Sequence, residues 1–416
     1  MYYTLSGSFC YTCIMVRAKN SSPKKAISRL IAAVFLMAGA GFLTYKVLVW
    51  QLGAPVKNQP AATSTVKTKP HNSGERSLNF SAAGDFLAHD SVVKQAKTNN
   101  GYDFSPYFTS VKSLYGASDV FFCNPETPSA GAAYGISGYP AFNAPVELAR
   151  DMSKTGCNLI NLATNHMADK GQAAINATLD EWQKLPVLAA VGANRNASEQ
   201  KKVKYFEKNG IKAAFLAFAD FSNVRLPNAY SVNTYHDEAL VQQLMSEARQ
   251  HADVVIVSAH WGTEDSHTVT ADQQKFAKLF ADLGADVVIG TGPHMIQKAD
   301  MLDRAGGGKT LVWYSIGNFL SSQLQVDELT GGVAQFKLVK TDKGISISDV
   351  KFRPTFMSYE WSPADRQAQN LLARRNLKLQ PLKQAANETK PHGTTVEERL
   401  AKVRQWLDGT AKVTVE

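Results

Sequence analysis

The chain has 416 residues, 44% of them hydrophobic and 19% charged, an ordinary globular composition long enough for one large α/β domain plus appendages. Its formal net charge of +9 invites a nucleic-acid reading, but residues 1–74 hold nine basic residues (Arg17, Lys19, Lys24, Lys25, Arg29, Lys46, Lys57, Lys67 and Lys69) and no acid, which leaves the remainder formally neutral. A basic nucleic-acid-binding domain is therefore excluded.

In chain order, residues 1–29 form a basic tail in which Cys10 and Cys13 make a lone C-x-x-C without strand–helix–strand context, so neither a redox nor a zinc site is read there. Met15 opens "MVRAKNSSPKK" and is a second candidate start. Leu30 to Trp50 is an apolar run of 21 residues, roughly 31 Å as a helix, enough to cross a bilayer. Its single charge, Lys46, lies beside Tyr45 near the far end, where the stem reaches the interface. The basic residues ahead of the span place the N-terminus in the cytoplasm and the chain beyond Trp50 outside the cell. The rival reading is a cleaved signal peptide with Ala38-Gly39-Ala40 as the cleavage site, but apolar sequence continues past it. Residues 51–77, rich in Pro, Ala, Thr, Lys and Asn, read as a flexible spacer, with His71 solvated within it.

Between 78 and 355 short apolar runs alternate with helix-like stretches. The runs are "LNFSAAG" (78–84), "DVFFC" (119–123), "NLINLA" (158–163), "AAFLAF" (213–218), "DVVIVSA" (253–259), "DVVIG" (286–290) and "LVWYSIG" (311–317). The intervening "VELARDMSKTG", "GQAAINATLDEWQKL", "DEALVQQLMSEARQ" and "ADQQKFAKLFADLG" read as helices, the last two with apolar residues at helical spacing. Such alternation predicts an α/β domain with strands buried on both faces. "GVAQFKLVK" and "ISISDVKF" read as a closing hairpin, and 356–416 as a helical C-terminal appendage. Cys123 is expected to close one strand and Cys157 to open the next, at opposite ends of a parallel pair, so two buried thiols are expected rather than a disulfide.

Six of the apolar runs deliver polar donors as they end: Asp85, with His89 and Asp90 behind it; Asn124 and Glu126; Asn165 and His166; His260; His294; and Asn318. Singly, each has a bland explanation: a strand-end Asp caps a helix, a core His is hydrogen-bonded filling, and Asn318 beside Gly317 makes a turn. Together they gather at the edge where open α/β sheets bind ligands. The set holds oxygen and imidazole donors without thiolate, which suits Mn, Fe, Zn or Mg, with enough donors for two ions sharing a carboxylate.

In order, "GDFLAHD", "NPETP", "NLATNHMADKG", "AHWGTED", "GADVVIGTGPHMIQ" and "YSIGNF" resemble the CapA family of poly-γ-glutamate capsule-synthesis proteins, a branch of the calcineurin-like metallophosphatases. The resemblance covers about 78–355 and implies a metallophosphatase sandwich behind a transmembrane anchor. It implies that Asp85, Glu126, Asn165, His260 and His294 ligate metal and that His166 meets the substrate or leaving group, a role that suits a group titrating near neutrality. Two departures stand out. Pro125 replaces the usual Leu before Glu126, and Gly292 replaces the first His of a His-Pro-His. His89 and His267 lie near the motifs as substitutes for that donor, with Asn318 a third supporting candidate.

The sequence supports two functions. One is a membrane-anchored metallohydrolase acting on a phosphoester or amide in the cell envelope; the other is a non-catalytic scaffold of a polymer synthesis or export complex. Both put the chain on the cell membrane, single-pass, beside other polymer-synthesis subunits and away from nucleic acid.

Overall fold

A computed structural model describes residues 76–342 and 344–416. The expected tail, membrane span and all but the end of the spacer lie outside the described residues, and no helix among the described residues is long and apolar enough to cross a membrane.

The strands that build the two sheets are β1 (Arg76–Phe86), β2 (Val120–Pro125), β3 (Leu159–Asn161), β4 (Ala189–Val191), β5 (Lys204–Lys208), β6 (Ile211–Ala219), β7 (Val254–His260), β8 (Val287–Thr291), β9 (Ala299–Asp303), β10 (Lys309–Trp313), β11 (Asn318–Leu320), β12 (Thr330–Thr341), β13 (Gly344–Glu360), β14 (Arg375–Pro381) and β15 (Thr414–Val415). The principal helices are α1 (Asp90–Ala96), α2 (Val146–Thr155), α3 (Gly171–Gln183), α4 (Glu238–His251), α5 (Ala271–Asp282) and α6 (Val396–Trp406). The first sheet runs β14-β13-β12-β1-β2-β3-β4, with β11 also against β1 and β15 against β13; the second runs β9-β10-β8-β7-β6-β5.

Alternation along the second sheet explains the layering. Ala213, Phe215 and Ala217 of β6, Ile256 of β7, Ile289 of β8 and Trp313 of β10 share one core with Phe80 of β1 and Phe122 of β2. Their sequence neighbours Ala214, Leu216, Val255, Val257, Val288 and Val312 point the other way, into a second core closed by Leu244 of α4 and Phe276 and Phe280 of α5. A period of two on strands buried on both faces gives a near-continuous apolar run, the pattern the sequence carries. Between the sheets the Phe122 and Phe215 rings meet at 6.1 Å. The fold is a mixed α/β arrangement of two packed sheets. Thr270 and Gln273 form a capping box at the start of α5, and the Asp237 side chain caps α4.

Four expectations are corrected. Cys123 and Cys157 are joined by a disulfide, with Cα atoms 5.8 Å apart. Cys123 lies within β2 rather than at its end, and the register pairs it with Ile160 (Phe122 with Leu159), so Cys157 arrives beside it just before β3 begins. The run 311–317 is not one strand. It ends at Trp313, and the chain crosses through Gly317 (φ +71) to start β11 at Asn318 in the other sheet, parallel to β1. The segment around Arg375–Pro381 is not helical. Leu377 and Leu379 are buried while Asn376 and Lys378 are exposed, a period-two pattern that pairs with β13. Residues 356–416 are not a purely helical appendage: β14 and β15 extend the first sheet, and Val396 and Val403 of α6 enter its core.

Candidate metal centre

Register brings the donors together. The parallel pairing of β1 with β2 sets Asp85 beside Asn124, that of β1 with β11 sets it beside Asn318, and β7 with β8 sets His260 beside Thr291. Asp85 and Glu126 are fully buried, and Asn165, His166, His260 and His294 nearly so.

A chain of amides holds the first carboxylate. Asn161 Nδ2 donates to Asn124 Oδ1 at 2.6 Å, and Asn124 Nδ2 donates to Asp85 Oδ1 at 2.7 Å. The other oxygen, Asp85 Oδ2, is 3.1 Å from His294 Nδ1 and 3.4 Å from the Gly292 amide. Ligand atoms of Asp85, Glu126 and His294 all lie within 4.8 Å of one another. His294 has φ +60, an uncommon conformation for a non-glycine residue and one that collects at functional sites. His260 is aimed from its far side, with Nδ1 3.0 Å from Thr291 Oγ1, while Nε2 lies 3.0 Å from Asn165 Oδ1 and 3.4 Å from Glu126 Oε1.

Glu126 is the telling residue. Neither of its oxygens accepts a hydrogen bond although the side chain is fully buried. Burial pushes its carboxyl up, but the charges of His294 and then His260 outweigh burial and hold it below the usual range. His294 answers in kind: burial pulls it down, yet Glu126 and Asp85 lift it to about 10. Burial also pulls His260 down, and Glu126 leads the charges that leave it net raised. Such a pocket demands positive charge. A buried carboxylate that makes no hydrogen bond, its oxygens met only by ion-pair contacts of 3.4 and 3.8 Å from His260 and His294, with an amide oxygen nearby, fits a divalent cation.

His166 stands next to this group. Its Nδ1 lies 2.7 Å from Asp169 Oδ2, and the Asn223 amide nitrogen lies 3.2 and 3.1 Å from its two ring nitrogens. Phe142 packs edge-on at 4.6 Å, and its backbone amide donates to the same Asp169 oxygen. Asn165 Nδ2 reaches Glu264 at 3.4 Å.

The supporting candidates separate. Asn318 flanks Asp85, its Nδ2 donating to Gln323 and to the Glu328 carbonyl while its Oδ1 has no donor. His89, half-buried, packs edge-on against Phe142 at 5.4 Å. His267 is held outside the cluster by the Ile296 carbonyl at 2.7 Å and by stacking on Trp406 at 4.0 Å, so it does not stand in for an imidazole at 292. Sequence reasoning misses Asp169 and Asn223. Asp169 follows His166 by three residues, and Asn223 follows "AAFLAF", an apolar run whose end is not counted among the donors.

A family model described as "Bacterial capsule synthesis protein PGA_cap" matches residues 79–323. The chain is 32% identical over 289 residues to "PGA biosynthesis protein CapA" of Bacillus subtilis (strain 168), covering 67% of this chain and 72% of that one. It is 30% identical over 218 residues to "Capsule biosynthesis protein CapA" of Bacillus anthracis, covering 50% of each chain. The match thus spans about half the length of that second relative. Among solved structures, 5'-nucleotidase from Candida albicans SC5314 is similar at 15% identity, over 62% of this chain and 46% of that chain, with a TM-score of 0.37. That likeness is too low to carry an argument.

Proposed function

The chain belongs to the bacterial capsule synthesis protein family PGA_cap, and from that premise we propose that it is an anchored, outward-facing component of poly-γ-glutamate capsule synthesis or export with a metal-dependent, hydrolase-type centre. We read its two packed sheets as a calcineurin-like metallophosphatase sandwich. The observation that carries the enzymatic reading is Glu126, a buried carboxylate hydrogen-bonded through neither oxygen, with ligand atoms of Asp85 and His294 within 4.8 Å.

In this reading Asp85, Glu126, His294 and His260 hold one or more divalent ions, with the Asn165 amide oxygen as a weaker donor. Such an ion supplies Lewis acidity toward an oxygen-rich substrate. The chain's own residues do the rest. Asn161 and Asn124 orient Asp85 so that Oδ2 faces the centre. Asp169 fixes the His166 ring through Nδ1, and Phe142 shields it, so the imidazole is set to pass a proton to or from a reacting oxygen. The alternative, a non-catalytic component of an envelope polymer-export complex, is favoured by Gly292, which offers no imidazole where the resemblance implies a histidine.

Metal analysis of the purified full chain tests the reading. Wild type should carry a divalent ion and Glu126→Gln should lose it, while His166→Ala keeps the metal and loses turnover of a generic phosphodiester. Metal in both variants with no turnover in wild type would favour the scaffold. For the anchor, protease added to intact cells should cut within 51–77 and release the domain; protection of that stretch reverses the topology.

A further inference from the structure

Two arginines are buried among the described residues, and only one has a counter-ion. Arg399, 3% exposed, pairs with Asp327. Arg374, 7% exposed, has no ion-pair partner: its Nε donates to the Leu371 carbonyl at 2.9 Å. Its guanidinium lies 5.4 Å from the centre of the Tyr359 ring and 5.9 Å from that of Trp361. Guanidinium does not shed its proton, so burial without a counter-ion is costly, and aromatic faces return only part of that cost. Asp90, the acid whose charge reaches Arg374, is engaged by the Gly138 amide at 2.8 Å.

The position of Arg374 gives this cation a purpose. It precedes β14, which Gln95 of α1 holds by two 2.7 Å bonds to the backbone of Leu377. Helix α1 begins directly after His89. The His89 imidazole feels Arg374 as its foremost neighbouring charge and His294 next, and burial with those charges drives it down to about 3. The His89 ring, neutral there, lies within electrostatic reach of both Arg374 and His294 of the metal centre. Phe142 continues the line, touching His89 at 5.4 Å and His166 at 4.6 Å. On the other side the Tyr359 hydroxyl donates to the Gln323 carbonyl at 3.4 Å, and the Gln323 side chain accepts from Asn318 at 2.5 Å.

We propose that Arg374, on its platform of Tyr359 and Trp361, is an anion subsite at the mouth of the centre, binding a carboxylate or phosphate of the substrate at a distance from the reacting atoms. The planar fork suits either oxyanion through two parallel hydrogen bonds. The residue lies outside the 79–323 family match. Only the choice of a glutamate polymer as probe rests on the function proposed above.

The test is calorimetric titration of the full chain with a short γ-linked glutamate oligomer and, separately, with inorganic phosphate. Arg374→Gln should weaken oligomer binding about tenfold or more, the scale of a lost charge-assisted hydrogen bond. Arg374→Lys should recover part of it by restoring charge without the fork. Arg375→Gln, which loses an exposed guanidinium paired with Glu360 at 3.2 Å, should bind as wild type. Because an uncompensated buried charge is removed, Arg374→Gln should melt no lower than wild type. Phosphate binding that depends on Arg374, without oligomer binding, keeps the subsite and removes the glutamate polymer as its ligand. The proposal is overturned if wild type binds neither probe, if Arg374→Gln binds both as wild type does, or if Arg374→Gln and Arg374→Lys both melt well below wild type.

Discussion

Replacing Gly292 by alanine isolates the backbone demand at the metal centre. Gly292 has φ +108, and a β-carbon there would stand 3.0 Å from the Trp261 carbonyl oxygen and 3.2 Å from both His260 Nε2 and the Trp261 amide. An L-residue at such a φ costs roughly 1–2 kcal/mol. The contact adds about 1 kcal/mol more, because the carbonyl belongs to a segment that cannot move freely: the Trp261 amide is bonded to Thr291 at 2.9 Å, and its indole to Tyr314 at 2.8 Å. The expected loss is about 2–3 kcal/mol. A folded unit of the size of the described residues has an unfolding entropy near 0.7 kcal/mol/K, so calorimetric melting of the full chain should show a drop of roughly 3–4 °C. Gly292→His should fall at least as far, yet it puts an imidazole against His260 Nε2 and should bind more Mn or Zn per chain than the alanine variant. A Gly292→Ala midpoint within about 1 °C of wild type would refute the backbone argument. Equal metal in the two variants would refute the direction assigned to the side chain.

The disulfide closes a loop with a sequence separation of 34, so replacing Cys123 and Cys157 by alanine should cost about 3–4 kcal/mol. Melting with and without reductant reads this, and an unchanged midpoint counts against the bond. In metal-stripped protein His294, raised from 6.5 to about 10, stabilises the fold fully below about pH 6.5 and loses that contribution as pH climbs toward 10, at most about 5 kcal/mol. Urea midpoints measured from pH 6 to 10 in chelator should therefore fall, and His294→Gln should flatten the fall; a parallel decline in the variant would assign it elsewhere. Asp169→Asn should lower phosphodiester turnover about 10–100-fold without changing metal content, since Asp169 orients His166 rather than ligating. Lost metal in that variant would move Asp169 into the ligand set.

Much of this protein is legible from its sequence for local reasons. Apolar runs of strand length mark β1, β2, β6, β7 and β8 because a strand buried on both faces needs no polar alternation. Asp85, Glu126, His166, His260 and His294 stand out because each lies within a few residues of the end of an apolar run, and parallel pairing within each sheet sets such ends side by side. Residues joined across the fold are another matter. Asn318 enters the first sheet only because the chain crosses from β10 to β11, and Cys157 meets Cys123 only through the register of β2 with β3. Asn223 reaches His166 from a loop with no periodicity to announce it. Arg374, in "LLARRNLKL", and His267, in "EDSHTVT", have nothing in their sequence neighbours that foretells their different surroundings. Tertiary packing alone leaves the first buried without a counter-ion and ties the second to Ile296 and Trp406. Periodicity is written in neighbouring residues, whereas register, sheet crossing and burial of a charge depend on which distant segments pack together.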